Sequence, residues 1–123
     1  MFDFSNNIVM ITGAAGTLGE ATARAFHEAG ARLVLVDNRA DRLDKLFGDL
    51  AEAGDCFLPA IDLTNPDAVE KMAAEAQASY GRIDFLINVA GGFRMGSPLH
   101  ETDPATWDFL MDLNAKSIML TAR

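Results

Sequence analysis

The stretch Thr12-Gly13-Ala14-Ala15-Gly16-Thr17-Leu18-Gly19 spaces three glycines behind the apolar run Ile8-Val9-Met10-Ile11. A pyrophosphate held by main-chain atoms needs such a stretch, because glycine permits the sharp bend and puts no side chain in the way. A helix starting near Thr17 would offer free N–H groups and a partial positive charge, so Gly13, Gly16, Thr17, Leu18 and Gly19 form the expected phosphate contact. No Lys-Ser/Thr pair follows the glycines, which excludes the phosphate loop of nucleoside triphosphatases. The bland alternative is a plain tight turn.

Two acids extend the pattern. Asp37 follows Leu33-Val34-Leu35-Val36, at the distance from the glycines where a carboxylate binds an adenine ribose. Such a carboxylate accepts hydrogen bonds from the hydroxyls and repels a 2′-phosphate, so NAD is expected and NADP is the lesser candidate. Arg39 pulls the other way, since a guanidinium can pair with that phosphate. Asp37 has the alternative of capping the helix after Asn38-Arg39-Ala40. Asp62 ends the third apolar segment, where ligands gather on open α/β sheets, and its alternative is to cap the helix beginning near Asn65.

The elements that would position these residues alternate short apolar runs with helix-period segments, the pattern of βαβ units on a parallel sheet. Strands are expected at Ile8–Ile11, Leu33–Val36, Cys56–Ile61 and Ile83–Ile87. The third is weaker, because Pro59 suits a sheet edge. The helical stripes are Leu18, Thr22, Ala25, Phe26 and Ala29; Leu43, Leu46, Phe47 and Leu50; Val69, Met72, Ala73, Ala76 and Tyr80; and Trp107, Leu110, Met111 and Ile118. Thr64-Asn65-Pro66 and Thr102-Asp103-Pro104 read as capped starts with proline in the first turn. Asn114 lies seven residues after Trp107 on the last stripe, so a buried amide with hydrogen-bond partners is expected there. These units fit a Rossmann-like or a flavodoxin-like sheet.

Composition narrows the function. Of 123 residues, half are apolar and 23% charged, the balance of a globular protein. Eighteen acidic and ten basic residues give a net charge of −8, which argues against nucleic acid and anionic lipid as partners. No run approaches the roughly 18 apolar residues of a membrane span, and the first residues do not read as a secretory signal. The single cysteine, Cys56, cannot form an internal disulfide, so a cytoplasmic setting is expected and Cys56 reads as a small buried hydrophobe. His27 and His100 have no metal-ligand spacing, and no metal site is expected. A signalling receiver domain shares this length and an aspartate ending strand three. It also needs acids after strand one for Mg²⁺, where this chain has Gly13-Ala14-Ala15-Gly16.

Four segments together resemble the short-chain dehydrogenase/reductase family nearly end to end: the glycine turn, Asp62-Leu63-Thr64, Asn88-Val89-Ala90-Gly91-Gly92, and Trp107 through Asn114. The glycines at 13, 16 and 19 follow the family's extended branch, whereas the other segments resemble its single-domain branch, which would put the middle glycine at 17. The resemblance implies an α/β fold, a Rossmann-like doubly wound parallel sheet in three α/β/α layers, represented by about four strands over residues 1–123. It implies that Asp62 and the Leu63 backbone lie beside adenine. It also implies that Asn88, Ala90 and Gly91 belong to a strand-end motif near the cofactor ribose, with Val89 replacing the family's second asparagine. Asn114 matches the family asparagine that supports a proton relay to the catalytic lysine, the one catalytic position represented.

The family's chemistry, hydride transfer between nicotinamide and a small alcohol or carbonyl substrate, also uses a serine and a Tyr-x-x-x-Lys pair. Here the only tyrosine is Tyr80, and Asp84 stands four residues on. The expectation is therefore the cofactor-binding half of an NAD(P)-dependent oxidoreductase, inactive alone. The alternative is a non-catalytic dinucleotide-binding module acting with a partner chain. A homo-oligomer, dimer or tetramer, is expected from the family's use of the last helix, with Phe109 and Leu113 as contacts.

Overall fold

Five consecutive apolar or β-branched residues make β1 (Ile8–Thr12), and all five are buried, as a strand covered on both faces requires. A computed structural model describes residues 2–123. The order is β1, α1 (Thr17–Glu28), β2 (Arg32–Val36), α2 (Ala40–Glu52), β3 (Cys56–Phe57), α3 (Pro66–Tyr80) and β4 (Phe85–Asn88). A short 3₁₀ turn, Leu99–Glu101, then leads to α4 (Pro104–Met111), a wide π turn (Asp112–Lys116) and α5 (Ser117–Ala122).

The strands are parallel and ordered β3-β2-β1-β4. Placing β1 between β2 and β4, with β3 outermost, is the Rossmann order and not the flavodoxin one. In register, Val9 lies beside Leu33 and Phe85, and Leu33 beside Cys56. Alternate residues face opposite sides. Val9, Ile11, Leu33 and Leu35 pack with Ala23, Leu43 and Phe47 under α1 and α2. Met10, Val34 and Val36 pack with Val69, Met72, Ala76 and Leu120 under α3 and α5. These are the three expected layers.

Several boundaries differ from the sequence reading. β3 is two residues long, and only an isolated bridge, Asp37 to Ala60, continues it past Pro59, which has no N–H to donate. β4 begins at Phe85. α1 is buried at Gly19 and Ala23, and Phe26 of the expected stripe packs partly buried against the same core, whereas Leu18 is 68% exposed. The two capped starts are as expected: Asn65 Oδ1 accepts from the Asp67 and Ala68 N–H groups, and Asp103 Oδ1 from the Thr106 N–H at 2.7 Å.

The last helical stretch departs most. Trp107, Met111 and Ile118 are 56%, 46% and 43% exposed, and Met119 is also exposed; the residues buried here are Ser117 and Leu120. In the π turn the Ser117 N–H reaches back five residues to the Asp112 carbonyl. The extra residue rotates α5 relative to α4, while Trp107 and Met111 precede it and are exposed on α4 itself. Cys56 is buried, as expected, and burial first, then the charges of Asp55 and Asp49, push its thiol up to about 11.

Phe47 has no exposed surface, whereas Phe93 is almost fully exposed. Phe47→Ala should cost about 3–5 kcal/mol and Phe93→Ala under about 0.5 kcal/mol, read as urea midpoints. Equal midpoints would contradict the core assignment.

Candidate nucleotide-binding site

The carboxyl ends of all four strands open onto one cleft of ≈ 500 Å³. Its floor is the glycine turn. Gly13 takes φ 66°, a left-handed conformation that favours glycine, and a Cβ there would lie 2.7 Å from the Ala90 backbone. A Cβ on Gly19 would fall inside the Gly13 carbonyl and within 2.8 Å of Ala14 Cα. These two glycines are therefore required by the protein's own packing.

Gly16 is different. Its torsions, φ −83° and ψ 168°, are open to any residue, and a Cβ would meet only the Gly13 oxygen at an ordinary 3.4 Å. Nothing in the fold demands glycine there, whereas a group pressed against the main chain would. Gly16 is also the cap position of α1, and no side chain caps that helix, unlike α3 and α4. The first amides of α1 thus keep their hydrogen-bonding capacity at the positive end of the helix. Gly13, Gly16, Thr17, Leu18 and Gly19 all line the cleft, and the exposure of Leu18 is explained by its place on the rim.

Asp37 closes the next side. It is 5% exposed, and its carboxylate is not free. Oδ2 accepts from the Ala15 N–H at 3.0 Å and from Arg39 Nη2 at 3.1 Å; Oδ1 accepts from Arg39 Nε at 2.9 Å and from the Arg39 N–H at 3.2 Å. Burial raises the Asp37 carboxyl, but the Arg39 and Ala15 hydrogen bonds outweigh it and hold the group below the usual carboxylate range. Capping of α2 is excluded, because α2 has no side-chain cap. Arg39 is half-exposed and lines the cleft.

Asp62 and the buried Leu63 line the third side. Asp62 does not cap α3; its Oδ1 accepts from the Thr64 hydroxyl at 2.7 Å and the Thr64 N–H at 2.9 Å, and these bonds lower its pKa. Ala90 and Gly91 form the fourth side, with the Ala90 N–H donating to Thr12 Oγ1 at 3.2 Å. Asn88 does not line the cleft: its Oδ1 accepts from the Thr121 hydroxyl at 3.0 Å, tying β4 to α5.

Asn114 is exposed, contrary to the expected burial. Its amide is nonetheless fully used. Oδ1 accepts from the Gly92 N–H, and Nδ2 donates to the Gly92 and Leu110 carbonyls, each at 2.9 Å. The segment after β4 is thereby held at the cleft edge. Sequence reasoning misses Asn38, Ile61, Val89 and Leu113 in the lining. The first three adjoin residues it singles out; Leu113 enters through the π turn, which has no sequence signature here.

Comparison with known proteins agrees with this architecture. The family model for short chain dehydrogenase matches residues 7–123. The chain belongs to the short-chain dehydrogenase family. An uncharacterized oxidoreductase of Staphylococcus aureus is 33% identical over 119 residues, covering 97% of this chain and 51% of that protein. The NADP-dependent 3-hydroxy acid dehydrogenase of Shigella flexneri is 30% identical, covering 94% of this chain and 46% of that one. The crystal structure of a metagenomic short-chain oxidoreductase in complex with NADP superposes with TM-score 0.90 at 36% identity, over 98% of this chain and 55% of that one. The chain spans about half the length of the curated relatives it matches.

The contrast between the glycines is measurable. Gly19→Ala should lower stability by about 3 kcal/mol, while Gly16→Ala should stay within about 1 kcal/mol of the native chain; thermal unfolding reads both, and equal losses would undo the distinction. Because the Asp37 carboxyl is lowered on folding, its stabilisation is present above its unfolded pKa of about 3.9 and is lost as pH falls through the folded value. Asp37→Asn should be less stable at neutral pH and show a shallower loss on acidification; an unchanged acid profile would remove the role given to this carboxylate.

Proposed function

We propose that the chain grips a nicotinamide dinucleotide across the carboxyl ends of its strands. It would thereby serve an oxidoreductase moving hydride between that cofactor and a small carbonyl or alcohol. The observation that carries this reading is Gly16, a glycine that the protein's own atoms do not require, at an uncapped helix start. The Gly13–Gly19 backbone would take the pyrophosphate, Asp62 and Leu63 the adenine side, and Ala90 and Gly91 a close approach of the ribose. The dinucleotide would supply the hydride chemistry; the chain's residues bind and orient it. Asn114 acts through Gly92 as a positioning residue.

The NAD expectation rests on a free Asp37 carboxylate, and that carboxylate is engaged by Arg39. Arg39 is close enough to the cleft to exchange Asp37 for a 2′-phosphate, while the Ala15 N–H continues to hold the buried acid. We therefore read the site as admitting NADP. The metagenomic structure bound to NADP and the NADP-dependent Shigella enzyme support this.

Tyr80 takes no part in this reading: it ends α3 with its ring 4.4 Å from the Arg32 guanidinium, at the start of β2 and the opposite end of the sheet from the cleft.

Titration of NADPH and NADH by nicotinamide fluorescence tests the cofactor assignment and the NADP reading. NADPH should bind at least as tightly as NADH. Gly16→Ala should weaken both, and Arg39→Gln should weaken NADPH about tenfold or more while changing NADH little. Absence of binding at millimolar dinucleotide would overturn the cofactor assignment; NADPH affinity indifferent to Arg39→Gln would overturn the NADP reading alone.

A further inference from the structure

Beyond Gly91 the chain runs exposed to residue 100 and then starts α4, and between this segment and the helix lies a second cleft of ≈ 210 Å³. It adjoins the nucleotide cleft: Leu110 lines one and Leu113, a turn later on the same helical stretch, lines the other. It is smaller than a whole-ligand pocket usually is, and is sized for one end of a small molecule.

The charges lining it are unequally engaged. Asp103 is taken by the start of α4, accepting from the Thr106 N–H at 2.7 Å and the Thr106 hydroxyl at 3.1 Å. Glu101 faces His100 Nε2 at 3.6 Å. Arg94 has no oppositely charged group at ion-pair distance among the described residues, and its guanidinium lies over the Phe109 ring, 4.3 Å from the centroid. Stacking on a ring face occupies the flat side of a guanidinium and leaves its edge N–H donors free, in the fork geometry that matches a carboxylate. Ser97, Thr102 and Thr106 add hydroxyls around the same space.

We propose that this cleft receives a carboxylate carried by the substrate, with Arg94 as the specificity-determining residue and Phe109 as the platform that holds it. This deepens the oxidoreductase reading and rests on it: the preferred substrates are small keto or hydroxy acids, and neutral carbonyl compounds of the same size are discriminated against.

Calorimetric titration of acetoacetate and of its uncharged methyl ester into the full chain, with NADP⁺ present, reads the proposal directly. The acid should bind about ten- to a hundredfold tighter than the ester, the range of a hydrogen bond to a charged group. Arg94→Gln should reduce that preference to within about twofold, Arg94→Lys should keep part of it, and Glu101→Gln should strengthen it by removing a negative charge from the cleft. Dinucleotide affinity, measured on the same variants by nicotinamide fluorescence, should not move. Equal binding of acid and ester, a preference that survives Arg94→Gln, or no heat from either compound would overturn the proposal. Loss of dinucleotide binding itself would overturn instead the reading on which it rests.

Discussion

The close seat of α1 on the turn that precedes it is the constraint on which the rest of this structure depends. With Gly19 against the Gly13 carbonyl, the helix starts within a few residues of the end of β1 and aims its uncapped amides across the sheet. Any side chain at position 19 would push the helix off the strand and lose both the packing of Ala23 and the direction of those amides. Gly13 makes the matching contact on the other side, against Ala90, so the same turn also sets how near β4's continuation can come. The cleft is what remains when three backbone segments are brought this close without side chains between them.

Asp37 acts as the second anchor. By accepting from the Ala15 N–H it ties the end of β2 to the middle of the glycine turn, and by holding Arg39 it keeps a cation at the rim without leaving a charge unmatched. A buried carboxylate needs such partners. One residue therefore stabilises the floor of the site and sets the electrostatics of its outer edge, which is why its removal is expected to register in folding as well as in binding.

The parts legible in the sequence are those in which local chemistry and global packing ask for the same thing. β1 and β2 are unbroken apolar runs because both sheet faces are covered, and the glycine turn carries its own reason in its spacing. Asn65 and Asp103 cap their helices through contacts two or three residues away. The remainder depends on relations that no short period encodes. The Asp37–Arg39 pairing arises from two loop residues whose side chains fold back on one another. Trp107, Met111 and Ile118 share a stripe in sequence but not a buried face in space. An apolar stripe says that a helix can be buried, not which neighbour buries it.

The π turn also resolves an apparent contradiction about Asn114. An exposed amide is ordinarily free to rotate among water molecules, yet this one makes three hydrogen bonds, two of them to a single glycine. The widened turn supplies the reason. Asn114 Nδ2 donates to the Leu110 carbonyl four residues back, serving within the helix while its other bonds reach across to Gly92. A Cβ on Gly91 would lie 2.8 Å from Asn114 Oδ1, and one on Gly92 would lie 2.8 Å from Leu113 Cδ2. The two glycines thus let the Asn114 amide and the Leu113 side chain lie close over the main chain. Their contact holds the start of the segment that carries Arg94 at the edge of the nucleotide cleft, beside Gly91 and Leu113.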